Sequence, residues 1–171
     1  MDLEHLLGQK LLFAFHGKET LSPEIIEAFQ KYHPSGISLF RSLNIGTLAQ
    51  VRELNDSLQR LARDLDLPLL FIATDQEGGQ LMAIGDGTPL PGNMALGATR
   101  SAELARKAGE VLGREMSALG FNVNYAPCAD VNINPQNPVV GVRSFGEDPH
   151  LVAELTAAMI EGMQSQGVAA T

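Results

Sequence analysis

Short apolar runs alternate with amphipathic segments along this chain, and that alternation restricts its possible folds more than any other feature. The runs cover residues 10–17, 36–40, 67–74, 123–127 and 168–171. Each is bounded by helical sequence or by glycine and proline, the pattern of a strand buried on both faces. The intervening segments carry helix signals. Ser22-Pro23-Glu24 supplies a capping serine, a proline in the first turn and an acid near the helix N-terminus. Ile25, Ile26, Phe29 and Tyr32 then form an apolar stripe that stops at Pro34 and Gly36. Thr47 and Gln50 have capping-box spacing ahead of Leu48, Val51, Leu54, Leu58, Leu61 and Leu65. Ser101 opens a third helix, with Leu104, Ala108, Val111, Leu112, Met116 and Leu119 on one side and Gly120 at its end. Asp148-Pro149 opens a fourth, with Leu151, Val152, Leu155, Met159, Ile160 and Met163 as its stripe and Gly167 as its stop. The order β-α-β-α-β-α-β-α-β calls for parallel strands joined by right-handed crossovers. Two α/β architectures satisfy it: an open doubly wound sheet, or the N-terminal half of a TIM-type (β/α)8 barrel, a fold of about 250 residues. No linker or internal repeat divides residues 1–171. Two long connections, 78–99 and 134–147, are expected to be irregular and functional.

Composition removes several function classes. Of 171 residues 44% are hydrophobic and the mean hydropathy is +0.02, an ordinary soluble balance with enough apolar mass for a core. A net charge of -8 argues against nucleic acid or an anionic membrane surface as a partner, since both demand a basic patch. No apolar run approaches the roughly 20 residues of a membrane span. A single cysteine, Cys128, excludes an internal disulfide. The acidic start Met1-Asp2-Leu3-Glu4-His5 lacks a signal-peptide pattern, so a cytoplasmic location is expected. Neither a G-x-G-x-x-G nor a P-loop is present, and no cofactor is expected.

The candidate polar groups all follow strands: His16, Arg41, Asp75, Glu77, Asp130 and Arg143. A parallel sheet gathers such residues at its C-terminal edge, where α/β proteins bind ligands. The densest group is Asp75-Gln76-Glu77-Gly78-Gly79, whose glycine pair permits a sharp turn. A carboxylate accepts paired hydrogen bonds and a guanidinium donates in a planar fork, so an Asp with an Arg suits a sugar ring. Asp75 and Arg143 are therefore expected to meet in one cavity. The same two residues would equally serve as an ion pair tying two loops together. Asp75, Glu77 and Asp130 could also offer oxygen ligands to Mg²⁺, but no histidine pair has zinc-ligand spacing, and a metal site is not expected. Cys128 has no base partner in view and reads as a small buried hydrophobe. His5, His33 and His150 read as surface or helix-end residues.

Several motifs, in order, carry a resemblance. They are Ala73-Thr74-Asp75-Gln76-Glu77-Gly78-Gly79, Pro91-Gly92-Asn93-Met94-Ala95-Leu96-Gly97-Ala98, Gly120-Phe121-Asn122-Val123-Asn124-Tyr125-Ala126-Pro127, Asp130-Val131-Asn132, and Val140-Gly141-Val142-Arg143-Ser144-Phe145-Gly146-Glu147-Asp148-Pro149. The chain resembles the N-terminal barrel domain of glycoside hydrolase family 3, in its bacterial β-N-acetylhexosaminidase-like branch. The resemblance implies half a (β/α)8 barrel and a retaining, exo-acting β-glycosidase of carbohydrate metabolism, which forms a covalent glycosyl–enzyme intermediate on an aspartate. It implies that Asp75 and Arg143 bind the non-reducing sugar, with Glu77 and Asp130 supporting them. The family's Lys-His motif follows the fifth strand and its nucleophile lies further on. The catalytic groups are thus expected beyond Thr171, and residues 1–171 by themselves are expected to be inactive. One departure stands inside the matched region: many members carry arginine eight positions after the motif aspartate, and here that position is Ala83. The other reading kept open is a non-catalytic module that at most binds sugar.

Overall fold

The computed structural model describes residues 3–19 and 21–171. In chain order its elements are α1 (Leu3–Gly8), β1 (Leu12–Phe13), α2 (Pro23–Tyr32), β2 (Gly36–Ser38), α3 (Leu48–Asp64), β3 (Phe71–Thr74), β4 (Gln76–Gly78), β5 (Leu81–Met82), α4 (Asn93–Thr99), α5 (Ala102–Ala118), β6 (Val123–Asn124), a 3-10 turn (Gly141–Arg143), α6 (Pro149–Gln164) and β7 (Ala169–Ala170). Five strands form one sheet in the order β1-β2-β3-β6-β7, and every neighbouring pair is parallel. The expected alternation and parallel pairing are therefore present. The strands are shorter than the apolar runs, because regular pairing covers only part of each run. No described helix is long and apolar enough to cross a membrane.

Register follows from the two-residue period of a strand. Phe13, Ile37 and Ile72 lie in one row across the sheet, and Ile37 and Ile72 are fully buried. Their cluster includes Phe29 from α2 and Val51, Leu54 and Leu58 from α3. The adjacent row, Leu12, Gly36 and Phe71, lies on the opposite face, where Leu12 and Phe71 are exposed.

Helix starts obey local chemistry with two differences from expectation. The Thr47 hydroxyl accepts from the Gln50 amide at 3.2 Å, as a cap should. Gln50, however, accepts from the Gly46 amide at 2.7 Å, one residue beyond the partner a capping box would use. Ser22 occupies the cap position of α2 without a side-chain cap bond. Ser101 and Asp148 accept from the amides of Leu104 and His150 and start α5 and α6 as expected.

Connection 78–99 is more ordered than its composition suggests. It contains β5, which pairs antiparallel with β4 to close a hairpin, and α4. The helix α1 was likewise not anticipated; six residues are too few for helical periodicity to register.

The buried face of α5 also differs from the expected stripe. Leu104 is 44% exposed, and the residues turned inward are Ala105, Ala108, Gly109, Leu112, Gly113 and Met116. Close packing against α6 is the reason. A Cβ on Gly109 would stand 2.2 Å from the Met159 carbonyl oxygen, and one on Gly162 would stand 2.2 Å from that of Arg106. The two helices touch backbone to backbone, so small residues replace large apolar ones at the contact. Gly162→Ala is expected to force them apart and cost about 1–3 kcal/mol. Urea denaturation checks this; an unchanged midpoint would mean that the helices do not meet this closely.

Candidate functional site

The site is built where β3 ends. Thr74 is the last residue of β3 and pairs with Asn124 of β6. The Asn124 side chain, fully buried, then extends the pairing by one residue. Its Oδ1 accepts from the Gln76 amide and its Nδ2 donates to the Gln76 carbonyl, both at 2.9 Å. Gln76 repeats the device: its Oε1 accepts from the Ile84 amide at 2.9 Å, tying β4 to the residues after β5. With Gln76 held, the residues flanking it have set directions. Glu77 is buried, at 4% exposed, while Asp75 stays half-exposed at the C-terminal edge of the sheet.

Arg143 arrives from the connection after β6, on the 3-10 turn. Its guanidinium meets Glu77 in a two-point fork, Nε to Oε2 at 2.9 Å and Nη2 to Oε1 at 2.5 Å. Arg143 Nη1 also donates to the Val139 carbonyl at 3.3 Å, and the Arg143 carbonyl accepts from Asn93 Nδ2 at 2.8 Å. Such a fork combines charge with fixed geometry. The hydrogen bonds that Arg143 donates to Glu77 are the main reason its pKa rises above its already high ordinary value.

Asp75 and Arg143 lie at the same end of the sheet but are not bonded to each other, and they do not share one cavity. Asp75 lines a cavity of about 530 Å³ with Phe40, Arg41, Ser42 and Met82. Arg143 and Glu77 line a second, of about 350 Å³, with Asn93, Met94 and Val142. Gln80 borders both, so the two adjoin. The Arg143 guanidinium is engaged by Glu77, on the side of the second cavity. Electrostatics still join the three groups. Burial first, then the Glu77 carboxylate, raise the Asp75 pKa above 3.8, and the Arg143 charge partly offsets them.

The remaining candidates are placed as follows. Asp130 is exposed; its Oδ2 accepts from the Cys128 thiol at 3.1 Å, and its carbonyl accepts from the Ser144 hydroxyl at 2.6 Å. It braces the turn that carries Arg143 and does not touch Glu77. Cys128 is buried, and that burial pushes its thiol pKa up, which disfavours the reactive thiolate. His16 is exposed after β1 and lines neither cavity. Among the described residues no three His, Cys, Asp or Glu side chains converge as metal ligands would. Asn93, Asn124 and Gln80 were not anticipated as site residues. Asn93 and Asn124 stand inside motifs quoted above, but an amide in a motif carries no signal of what it will bond.

Comparison with known proteins agrees with this architecture. The model of the glycosyl hydrolase family 3 N-terminal domain matches residues 5–171, and the chain belongs to this family. Among its curated relatives is beta-hexosaminidase A of Pseudoalteromonas piscicida, 38% identical over 189 aligned positions, which cover 98% of this chain and 31% of that protein. The beta-hexosaminidase of Nitrosomonas eutropha is 39% identical over 82% of this chain and 41% of its own length. Among solved structures, a family 3 beta-N-acetylglucosaminidase from Paenibacillus superposes with a TM-score of 0.95 at 43% identity, across 99% of this chain and 32% of the other. NagZ of Neisseria gonorrhoeae gives a TM-score of 0.80 at 30% identity, across 93% of this chain and 48% of the other. The chain therefore spans about a third to a half of these relatives.

Two outcomes are expected from the charges. Glu77→Gln sets an amide donor against the guanidinium and leaves Arg143, only 25% exposed, without its counter-charge. A loss of about 2–3 kcal/mol in denaturant unfolding should result; a loss under about 0.5 kcal/mol would remove the fork from the stability of the site. For Asp75 the sign is opposite. A raised folded-state pKa means that the fold favours the protonated acid. Its contribution is complete below the unfolded-state value and is lost as pH rises through the raised one. Asp75→Asn should therefore raise Tm at pH 7 and leave it unchanged near pH 3. Calorimetry at the two pH values checks this, and a lower Tm at pH 7 would contradict it.

Proposed function

We propose that this chain forms the sugar-holding, N-terminal part of a retaining, exo-acting β-glycosidase that releases N-acetylhexosamine. The observation that carries this reading is the state of Asp75. Among the described residues its carboxylate accepts no hydrogen bond and forms no ion pair, although it is partly desolvated at the edge of a cavity. A carboxylate in that position has acceptor sites to offer sugar hydroxyls. Arg143 complements it. Of the five N–H groups of a guanidinium, two are taken by Glu77 and one by Val139, which leaves two for ligand oxygens. The names of the relatives support the substrate class, as does the solved complex of Neisseria gonorrhoeae NagZ with N-trifluoroacetyl-D-glucosamine.

On this reading Asp75 and Arg143 bind and orient the non-reducing sugar but break no bond. Retaining hydrolysis needs a nucleophile on one side of the glycosidic bond and an acid on the other. By the family's pattern both come from later strands of the barrel. The fixed Glu77–Arg143 pair and the held backbone of Gln76 supply the orientation that makes an attack geometry accessible.

The test is Asp75→Asn in the complete enzyme that carries this chain. The substitution keeps the shape and removes the charge. Charge-assisted bonds contribute about 1.5–3 kcal/mol each, so kcat/KM on 4-nitrophenyl N-acetyl-β-D-glucosaminide should fall about tenfold or more. An unchanged kcat/KM in a folded variant would remove Asp75 from the sugar site. A wild-type enzyme that prefers the corresponding β-glucoside would shift the substrate class.

A further inference from the structure

Arg41 stands in the cavity that holds Asp75, and nothing described above uses it. The chain just before it is tied to β3: the Leu39 amide donates to the Ala73 carbonyl at 2.8 Å, and the Thr74 hydroxyl donates to the Leu39 carbonyl at 2.8 Å. The turn that bears Arg41 is then closed by Asn44, which is fully buried. Its Oδ1 accepts from the Phe40 amide at 3.0 Å, and its Nδ2 donates to the carbonyls of Phe15 and Gly17 at 2.9 and 3.0 Å. The backbone at Arg41 is thus held from both sides.

The side chain is not. Among the described residues the guanidinium makes one long hydrogen bond, Nη1 to the Met82 carbonyl at 3.4 Å, and no ion pair. It lies over Gly85, where an added Cβ would stand 3.0 Å from Nη2. The hairpin leaves room for it there, and Ala83, the neighbouring small residue, lines the same cavity. Arg41 is not within ion-pair distance of Asp75, and the charges that act on Asp75 are those of Glu77 and Arg143. The cavity of about 530 Å³ therefore has on its wall a guanidinium with most of its donors unused and a carboxylate with its acceptor sites unused, too far apart to pair with each other. That arrangement fits a ligand whose hydroxyls donate on one side and whose oxygens accept on the other.

We infer that Arg41 is a further substrate-binding residue, whose guanidinium donates to hydroxyl or acetamido oxygens of the same sugar that Asp75 holds. The inference rests on the glycosidase reading above. It assigns to the turn after β2 a cation that position 83 does not supply.

The experiment uses the complete enzyme and compares wild type, Arg41→Met and Arg41→Lys. Arg41→Met should lower kcat/KM on 4-nitrophenyl N-acetyl-β-D-glucosaminide about tenfold, with Arg41→Lys recovering part of the loss. The rise in Tm on adding N-acetylglucosamine should shrink in Arg41→Met, while the Tm without sugar stays at the wild-type value. Arg41→Met with kcat/KM within about twofold of wild type and a full sugar-induced shift would overturn the inference. So would a loss of turnover matched by a fall in the sugar-free Tm and not relieved by lysine, because that assigns Arg41 a structural role. A wild type that shows neither turnover nor a sugar-induced shift would overturn the glycosidase reading itself, and this inference with it.

Discussion

The contact on which the site depends is the meeting of the Asn124 carboxamide with the peptide groups of Gln76. Parallel pairing between β3 and β6 ends at Thr74 and Asn124. Without a further tie, the chain beyond Thr74 would be free to choose its direction. The carboxamide carries one acceptor and two donors, so it can stand in for the next residue of a strand. It holds the backbone between Asp75 and Glu77, which leaves one carboxylate at the cavity and sends the other inward to Arg143. Asn124 Nδ2 also reaches the Met163 sulfur of α6 at 3.3 Å, so the same side chain joins the site to the α5–α6 layer.

This substitution of amide side chains for backbone recurs through the sheet. Asn122 Oδ1 accepts from the Ile72 amide at 2.7 Å and its Nδ2 donates to the Leu70 carbonyl at 2.8 Å. Gln59 of α3 meets the amide and carbonyl of Leu70 at 3.1 and 3.0 Å. Asn44 does the same work for the turn after β2. Short strands leave many peptide groups unpaired at their ends, and an unpaired buried peptide group is costly. The regularly paired strands span only two to four residues each, so the sheet owes much of its continuity to these side chains.

That economy explains what could be read from the sequence. The parallel sheet was legible because buried strands and amphipathic helices impose long-range periodicity, and Thr47, Ser101 and Asp148 marked helix starts through local chemistry. The position of Asp75 after β3 was legible for the same reason. The pairing of Arg143 with Glu77 was not, since 66 residues separate them and no periodicity spans that distance. Nor was the glycine contact between α5 and α6, because Gly109 and Gly162 look like defects in an apolar stripe until the partner helix is in place. The hairpin and α4 were hidden by the glycines and prolines around them, which fit an irregular loop equally well.

The use of amides at these joints has a consequence for how the site meets changing solution conditions. Asn and Gln side chains neither gain nor lose a proton across the range in which enzymes work. The frame formed by Asn44, Gln59, Gln76, Asn122 and Asn124 is therefore chemically silent to acidity. Had carboxylates closed these turns, acid would loosen the frame and discharge the ligand-facing groups together, and the two effects would be inseparable. Here the amide ties keep their hydrogen bonds whatever the charge on Asp75, so that carboxylate can gain or lose its proton while the turns these amides close keep their shape.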